Sequence, residues 1–477
     1  MKNKKPNIIF ITIDGLRARN LGCYGYKRDT SPNIDLFAKQ GVLFENFFSS
    51  YNTSNKSFLS ILGGRHVLGK DLEHYPSKNE IKSFFDSGGI LLPEILQKKG
   101  YKTHFLWKIF GWQKIGFDYY FKQDVQETSK KWNLIRFIKK SPRIYKMGRY
   151  ILHNLYLVPK KLESKLRFNN SGEMITKEAI EIIKQNKKNN FFLWLHYTDT
   201  HVPYIFPHSF SNRFKPEKKS EKIFQILESI SHNKKDVEFL KGCWKIDDTV
   251  EDIIVKYDTA ISYDDYLLEK IIETLKKENL FKNTIVFIFA DHGESLGEHK
   301  LYFTHEGLYN VTFNVPMIIF GKGIPKNKKI KSLSQLEDLA PTVLDLAEID
   351  YDSSLFDGKS LVPSILGKKG QIRESIFIEE NTCGLKRRGI RTQRYKHVEC
   401  PEKEYSTCAL CNTSHGGIVG LYDLKNDPDE NINLAGKNKK LLNEMKEKLN
   451  KTIIDLNTLN EKRRIRNFIN KSNLVKK

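Results

Sequence analysis

The segment 284–310 carries the densest group of residues that could bind a metal ion. An apolar, β-branched run, Ile285 to Phe289, ends at Ala290 and is followed at once by Asp291 and His292. Such runs are typical of strands buried on both faces, and open α/β sheets bind their ligands beyond the carboxyl ends of strands. A carboxylate and a neutral imidazole together suit a divalent cation of intermediate hardness. We therefore predict a metal site here rather than a polar turn.

Two further predicted strands end in groups that could join this site. Asn7 to Ile13 is apolar and β-branched, and it ends at Asp14. Phe191 to Leu195 runs into a polar segment that contains His196, Asp199 and His201. The carboxyl ends of parallel strands meet at one edge of a sheet. If the strand that ends at Asp14 and the strand that precedes Asp291 are neighbours, Asp14, Asp291 and His292 converge on one divalent ion.

A hydroxyl-rich segment, 51–57, precedes a predicted helix. Apolar residues follow it at helical spacing, and Gly63-Gly64 ends the helix. A Ser or Thr at such an N-terminus either caps the helix or lies where the helix dipole favours an anion and a developing alkoxide. The spacing alone leaves both roles open.

Charge and length limit the class of protein. The 477 residues carry a net charge of +23, from 80 Lys+Arg against 57 Asp+Glu. Such an excess favours phosphate or sulfate esters, acidic glycans, anionic lipid surfaces or nucleic acid as partners. The basic N-terminus precedes only a short apolar run, and no apolar run approaches the roughly 20 residues that span a bilayer. We therefore expect a cytoplasmic protein without a signal peptide or transmembrane segment.

Three other parts of the chain have unusual compositions. Residues 127–170 form a basic, aromatic-laced stretch, which is either an ordinary solvated insertion or a contact with an anionic membrane surface or acidic polymer. No nucleic-acid-binding signature accompanies it, so we expect no nucleic-acid partner. Residues 209–249 form a Lys-rich insertion. Four C-terminal cysteines could hold a structural zinc ion, be free thiols or form a disulfide: Cys383, Cys400, Cys408 and Cys411.

Ordered blocks along nearly the whole chain resemble the sulfatase family of the alkaline-phosphatase superfamily. They include Asn7–Asp14, LGCYGY, SPNIDLFAKQGVLFENFFS, GYKTHFLWK, LHYTDTHVPY, ADHGESLGEH, THEGLYNVTFNVPMII, LEDLAPTVLDLA and LYDLKNDPDENINLA. The resemblance implies an α/β fold, with a doubly wound, mostly parallel sheet of the alkaline-phosphatase type and a smaller C-terminal α+β domain. We place the catalytic domain at 1–375, the small antiparallel-sheet domain at 376–460 and a basic tail at 461–477.

The resemblance also implies roles for individual residues. One divalent ion, calcium, manganese, magnesium or zinc, would be held by Asp14, Asp291, His292 and Ser54. The sulfate or phosphate group would be contacted by Lys108, His201 and His305. His305 stands where many sulfatases carry Lys. Either His201 or His305 would protonate the leaving oxygen.

The chain departs from the family at the nucleophile. Sulfatases carry a Cys or Ser, oxidised to formylglycine, in a C/S-x-P-x-R motif. The corresponding positions here are Ser54, Lys56 and Phe58, and Gly15 replaces the second Asp of the usual pair. We therefore expect no formylglycine and predict that Ser54 acts as an unmodified nucleophile, with Thr53 as the second choice.

The predicted function is metal-dependent hydrolysis of sulfuric or phosphoric esters, on a glycan or a lipid headgroup. Ser54 would attack sulfur or phosphorus in line while the ion and nearby cations neutralise charge on the oxygens. The first alternative is a phosphodiesterase or phospho-headgroup transferase, with one ion or with a second ion at Asp199, His201 and His305. The least favoured alternative is a non-catalytic protein that binds anionic glycan or lipid through 127–170.

Overall fold

The structure is a computed structural model that describes residues 5–66, 68, 78–107, 111–121, 172–230, 243–245, 247–368, 370–382, 385–407, 414 and 417–475. Several predictions from the sequence lie outside the described residues. They concern Lys108, the basic stretch 127–170 and the cysteines Cys383, Cys408 and Cys411.

Strands and helices alternate through the first three quarters of the chain. The strands are β1 (Asn7–Ile13), β2 (Gly41–Phe44), β3 (Phe47–Phe48), β4 (Lys102–Leu106), β5 (Tyr119–Tyr120), β6 (Phe191–Tyr197), β7 (Thr284–Phe289), β8 (Ser295–Leu296), β9 (Tyr302–Thr304), β10 (Met317–Gly321), β11 (Lys328–Ile330), β12 (Ser334–Gln335), β13 (Ser375–Thr382), β14 (Leu385–Thr392), β15 (Tyr395–Glu399) and β16 (Val419–Asp423). The α-helices are α1 (Pro32–Lys39), α2 (Ser54–Gly63), α3 (Lys78–Asp86), α4 (Leu92–Lys98), α5 (Gly172–Gln185), α6 (Ile223–Ile230), α7 (Val250–Lys277), α8 (Asn310–Phe313), α9 (Leu339–Leu346), α10 (Val362–Ile365) and α11 (Lys439–Val475).

A mixed eight-stranded sheet forms the centre of the molecule. Its order is β11-β2-β10-β7-β1-β6-β4-β5, and β10 alone among these strands runs antiparallel to its neighbours. β1 lies between β6 and β7 and is parallel to both, with Thr12 opposite His196 on one side and Phe289 on the other. The neighbouring strands assumed from the sequence are therefore confirmed. Their carboxyl ends lie side by side at one edge.

The apolar runs that predicted these strands fill the core of the sheet. Every residue of β1, β6 and β7 is buried. Phe10 in the middle of β1 makes edge-to-face contacts with four aromatic rings at centroid distances of 5.0–6.3 Å: Phe192, Trp194, Phe287 and Phe289. Aromatic rings prefer this arrangement. α7 packs against α1 and α5, and α2 packs against α4 and α9. The three central strands are therefore covered on both faces, as parallel strands usually are.

A smaller antiparallel sheet, β13-β14-β15-β16, follows in the chain. The N-terminal part of α11 packs on β14 and β15 through Met445 and Leu449, which are buried. The predicted fold class, a large mostly parallel α/β sheet with a smaller C-terminal domain, is thus confirmed. In the described part of the chain, no helix combines the length and the apolarity that crossing a bilayer requires.

Candidate active site

The carboxyl ends of the three central strands bring four buried residues together. Asp14 follows β1, Asp291 and His292 follow β7, and His196 lies near the end of β6. The ligand atoms of Asp14, His196 and Asp291 lie within 4.8 Å of one another. His292 Nε2 lies 3.3 Å from Asp14 Oδ1 and 3.8 Å from Asp291 Oδ2. The three metal-binding candidates predicted from the sequence therefore lie together.

The ring of His292 is oriented by its own backbone neighbour. Its Nδ1–H donates to the Gly293 carbonyl at 2.9 Å, which leaves the lone pair of Nε2 directed at Asp14. A hydrogen bond on one ring nitrogen commonly fixes the tautomer in which the other nitrogen binds a metal ion. The Ser54 hydroxyl lies 3.3 Å from the same Nε2 atom. His292 thus lies between the acidic residues and the predicted nucleophile.

The donor set fits a divalent cation. Among the described residues, neither Asp14 Oδ1 nor Asp291 Oδ2 receives a hydrogen bond, although both atoms are buried. Buried carboxylate oxygens are costly to leave without a partner. The separations from His292 Nε2, 3.3 Å and 3.8 Å, are close to the about 3–4 Å expected between adjacent ligands of one ion. A divalent ion at this place would satisfy all three atoms.

The charge state of Asp14 also suits a cation ligand. Burial opposes its ionisation, but the imidazoles of His201, His196 and His292 favour it more strongly, so the pKa of Asp14 lies well below its usual value. The second oxygen lies 3.4 Å from His196 Nε2. Asp291 uses its other oxygen to accept a hydrogen bond from its neighbour's backbone N–H at 3.0 Å. In each carboxylate, one oxygen contacts the protein, Asp14 Oδ2 at His196 and Asp291 Oδ1 at the His292 backbone. The other oxygen is available to an ion.

Ser54 is the first residue of α2. Thr53 is the N-cap residue, and its hydroxyl makes no capping hydrogen bond. Ser54 is half-buried, whereas the residues of the metal-binding candidate set are buried. The Ser54 hydroxyl contacts His292, and its role as nucleophile stays a prediction. The N-terminal end of α2 adds a favourable dipole for an anion.

Two more predicted histidines line the more exposed side of this group. The ring of His305 lies 4.7 Å from that of His292, and the ring of His201 lies 6.2 Å from that of His305, measured between centroids. Both are half-buried. The His201 ring donates its Nδ1–H to the Val202 carbonyl at 2.9 Å, which leaves Nε2 free of this bond. Buried ion-binding candidates and half-exposed acid–base candidates thus form two layers of one site.

The family motif is altered in three dimensions as well as in sequence. Phe58, at the motif's Arg position, is buried, and its ring meets the His196 ring edge-on at 4.9 Å. Trp107, at the end of β4, meets the other side of His196 at 4.8 Å. Gly15 has a left-handed φ of 68°, which favours glycine, and a Cβ at this position would meet only Glu294 Oε2, at 3.7 Å, and two more distant atoms.

Sequence reasoning placed His196 in a polar segment that could join the site but gave it no specific role, and it did not assign Glu294. Glu294 is buried two residues after His292, and burial together with Glu306 and Asp14 raises its pKa well above the usual value. His196 is a buried residue of β6, next to the apolar run that predicted this strand. The available signal was its place near the end of a strand that borders β1.

The C-terminal domain supports the segment that holds Ser54. Asn52 donates to the His305 carbonyl and to Glu380 Oε1, both at 2.9 Å, and Glu380 also accepts from the Gly307 backbone. Glu379 on the same strand donates its backbone N–H to the Ser50 carbonyl at 3.0 Å. β13 therefore ties the loop before α2 to the loop that carries His305.

Comparison with known proteins decides which family this architecture represents. A family model named Sulfatase matches residues 6–349, well over half of the chain. The chain belongs to the sulfatase family. A second model, "N-sulphoglucosamine sulphohydrolase, C-terminal", matches residues 297–457. This sulfatase-family chain is accordingly a sulfuric ester hydrolase, and the phosphodiesterase and transferase alternatives are not favoured.

Individual relatives cover most of the chain at low identity. A sulfatase of Formosa agariphila is 24% identical over 90% of this chain and 83% of its own length. An N-acetylglucosamine-6-O-sulfatase of Bacteroides thetaiotaomicron is 23% identical over 91% of this chain and 84% of its own length. A protein solved in complex with its substrate, D-glucosamine-2-N,6-O-disulfate, superposes with a TM-score of 0.65 at 19% identity, covering 95% of this chain and 99% of that one. At this identity the structural likeness shows the fold.

The geometry does not support a second ion in this sulfatase-family chain. Asp199 accepts hydrogen bonds from the Gly172 backbone at 2.9 Å and 3.3 Å and faces another buried carboxyl group, Asp264. Among the described residues, the ligand atoms of Asp199, His201 and His305 do not gather as those of a metal site would. Asp199 therefore caps α5, and the two-ion alternative has no supporting cluster.

The proposed zinc site rests on residues that are mostly outside the described part. Cys400 is the one of the four that is described. It is buried, is a free thiol and donates from Sγ to the Glu402 carbonyl at 2.9 Å. The structural zinc site stays a prediction.

Proposed function

We propose that this chain hydrolyses sulfate esters of glycans, using Ser54 as an unmodified nucleophile and a divalent ion held by Asp14, Asp291 and His292. The observation that carries the proposal is the position of the Ser54 hydroxyl, 3.3 Å from the Nε2 atom that also faces Asp14. Two relatives support a glycan, since one is named an N-acetylglucosamine-6-O-sulfatase and another was solved with a disulfated glucosamine. The net charge of +23 suits such an anionic substrate.

The ion and its ligands would supply electrostatic stabilisation. A divalent ion bound here would act as a Lewis acid beside the Ser54 hydroxyl and a non-bridging sulfate oxygen. Asp14 stays ionised because three imidazoles lower its pKa. His292 presents Nε2 because its Nδ1–H is engaged by the Gly293 carbonyl. These residues are buried, so they hold their geometry without competition from bulk water.

The reaction would proceed in two balanced steps. Ser54 Oγ attacks sulfur in line, the bond from sulfur to the sugar oxygen breaks, and the hydroxyl proton passes to solvent. The imidazolium of His201 or His305 gives its proton to the leaving oxygen. Water then attacks the O-sulfoserine at sulfur and the bond from Ser54 Oγ to sulfur breaks. One water proton goes to Ser54 Oγ, the other stays on hydrogen sulfate, and the neutral imidazole regains from solvent the proton that the first step released. One ester and one water thus yield one alcohol and one hydrogen sulfate ion.

Two residues could protonate the leaving oxygen, and the contacts favour His201. Its Nδ1–H is held by the Val202 carbonyl, which leaves Nε2 as the nitrogen that can carry a transferable proton, and the residue is half-buried. Its imidazole is also the one that lowers the pKa of Asp14 most strongly among the three around it. His305 lies closer to His292 and is better placed to contact the sulfate oxygens.

The residues around Ser54 support the expectation that it is not converted to formylglycine. Lys56 and Phe58 occupy the Pro and Arg positions of the motif that the modifying enzyme requires. Both side chains are buried, and Phe58 packs against His196 and Trp194 rather than facing a substrate. The nucleophile would therefore be the plain hydroxyl group.

Sulfate release from D-glucosamine-2-N,6-O-disulfate and from sulfated glycans tests this proposal. Ser54→Ala should lower kcat by about a thousandfold or more, as for other covalent nucleophiles. Thr53→Ala removes a hydroxyl without a capping bond and is the matched control, which should retain most of the activity. Equal thermal midpoints would show that both variants fold. Full sulfate release by Ser54→Ala, or hydrolysis of phosphodiesters without any sulfate release, would overturn the proposal.

A further inference from the structure

The long helix α11 changes the character of its inward face half-way along its length. In the first half, Met445 and Leu449 lie against the small sheet and are buried. At 100° per residue, Arg463 and Asn467 continue the same face in the second half. That face is polar there, so the apolar contact that holds the first half does not extend to the second.

The second half of α11 is attached to the body by polar contacts. Arg463 is buried and donates to the Ser354 carbonyl at 2.8 Å and to Asp357 Oδ1 at 2.7 Å. Asn467 donates to the Asp86 carbonyl at 2.9 Å. These bonds fix which side of the helix faces the protein.

The side of α11 opposite Arg463 carries exposed apolar side chains from position 454 onward. The exposed fractions of Ile454, Ile465, Phe468 and Ile469 are 62%, 53%, 72% and 51%. The helical repeat places all four within about 100° of one another and opposite Arg463. A surface helix normally turns its apolar stripe toward the core. Here the stripe is turned outward, and exposed apolar stripes of this kind usually mark a binding surface.

Basic side chains border the stripe. Lys462 and Arg464 are exposed at its two edges, and Glu461 is an acidic residue within its arc. Arg466 instead faces the body, where it pairs with Asp352 at 3.0 Å. A second copy of the chain would bring the same positive charges together along this face. An anionic lipid surface instead accepts the apolar side chains between its headgroups and pairs the flanking cations with phosphates.

We propose that the stripe formed by Ile454, Ile465, Phe468 and Ile469 docks on an anionic membrane surface, with Lys462 and Arg464 contacting lipid phosphates. The helix would lie in the plane of the interface, as amphipathic basic helices do. This surface is independent of the proposed reaction and of the stretch 127–170. It would hold the enzyme at a lipid surface.

Vesicle sedimentation with the full chain tests the proposal. Vesicles of phosphatidylcholine with 30% phosphatidylglycerol, roughly the anionic content at which such helices bind, should retain the protein, and pure phosphatidylcholine should not. Phe468→Ser with Ile465→Ser should lower the partition coefficient about tenfold or more. Lys462→Gln with Arg464→Gln should lower it about 20-fold.

Matched controls separate this surface from general charge. Lys177→Gln with Lys222→Gln removes two exposed charges elsewhere and should leave binding nearly unchanged. Equal partition of the stripe variant and the wild type would overturn the proposal, as would a dimer in sedimentation velocity that the Phe468→Ser change dissociates. Retention on an acidic polysaccharide column that depends on Lys462 and Arg464 but not on Phe468 would also contradict it. Sulfate-ester hydrolysis in solution should be the same in all variants.

Discussion

Three imidazoles surround the buried carboxylate of Asp14. Asp14, Asp291 and His292 were predictable because each directly follows a strongly apolar strand, and parallel strands end at one edge. His196 follows the apolar run of β6 and was noticed as a polar residue, but no local pattern showed which side chain it would face. Its Nε2 atom lies 3.4 Å from Asp14 Oδ2, at the end of the neighbouring strand β1.

The first prediction concerns ion binding by Asp14. Asp14→Asn removes the charge that the surrounding imidazoles keep ionised, so the dissociation constant for Mn²⁺ or Ca²⁺ should rise about a hundredfold. Isothermal titration of the chelator-treated protein measures it. Asp247→Asn, at an exposed site, is the control. An unchanged dissociation constant for Asp14→Asn would refute the assignment of this ligand.

The second prediction concerns the facing carboxyl groups of Asp199 and Asp264. Burial raises the pKa of Asp199 to about 7 and that of Asp264 well above its usual value. The folded state therefore holds more protons than the unfolded state between about pH 4 and pH 7, so stability falls as the pH rises through this window. Asp264→Asn removes the carboxyl group that faces Asp199 and should raise the thermal midpoint at pH 8 by about 1–3 °C.

The same change should have little effect at pH 5, where both groups are protonated in the folded protein. Differential scanning calorimetry at the two pH values measures the midpoints. Asp29→Asn, an exposed control, should show no such pH-dependent difference. A midpoint for Asp264→Asn that is lower than the wild type at pH 8 would show that the carboxyl pair does not carry this penalty.

At the scale of elements, the strand-to-helix turn that carries Ser54 depends on a distant part of the chain. Helix α2 and its glycine C-cap were predictable from apolar spacing and Gly64, which adopts a left-handed φ of 59°. The hydrogen bonds from β13 were not, because Glu380 is 328 positions away from Asn52 in the sequence. No local pattern reports such a long-range contact, and a buried Glu within a strand reads as a solvent-facing residue.

The third prediction tests this support. Glu380→Ala removes one of the two acceptors of the Asn52 amide group and the acceptor of the Gly307 N–H. This loss should destabilise the loops by roughly 1–3 kcal/mol and lower kcat about tenfold or more. KM should change less than kcat, because the residue acts through Asn52 and not on substrate. Kinetics of sulfate release measure both constants.

Glu380→Gln keeps a carbonyl acceptor and should restore most of the activity. Loss of activity in Glu380→Gln equal to that in Glu380→Ala would mean that the charge, rather than the accepted hydrogen bonds, is what matters. Unchanged kcat in Glu380→Ala would remove the positioning role of β13.

At the scale of the molecule, two sheets and one long helix combine a buried site with an outward-facing surface. The large sheet and the small antiparallel sheet were predictable from alternating patterns and from the ordered family blocks. The continuity of α11 across positions 460 and 461 was not, because a basic, weakly apolar stretch is equally typical of a frayed tail. Its polar attachment through Arg463 becomes visible only once the body is folded.

Peptide mass spectrometry shows directly whether Ser54 is an unmodified serine or a formylglycine. The tryptic peptide that contains Ser54 is isolated from protein made in its native host, before and after a brief incubation with a sulfated glucosamine. We predict the unmodified mass before incubation, and a fraction that has gained one SO₃ group after it. Loss of two hydrogens would mean formylglycine and would contradict the central claim.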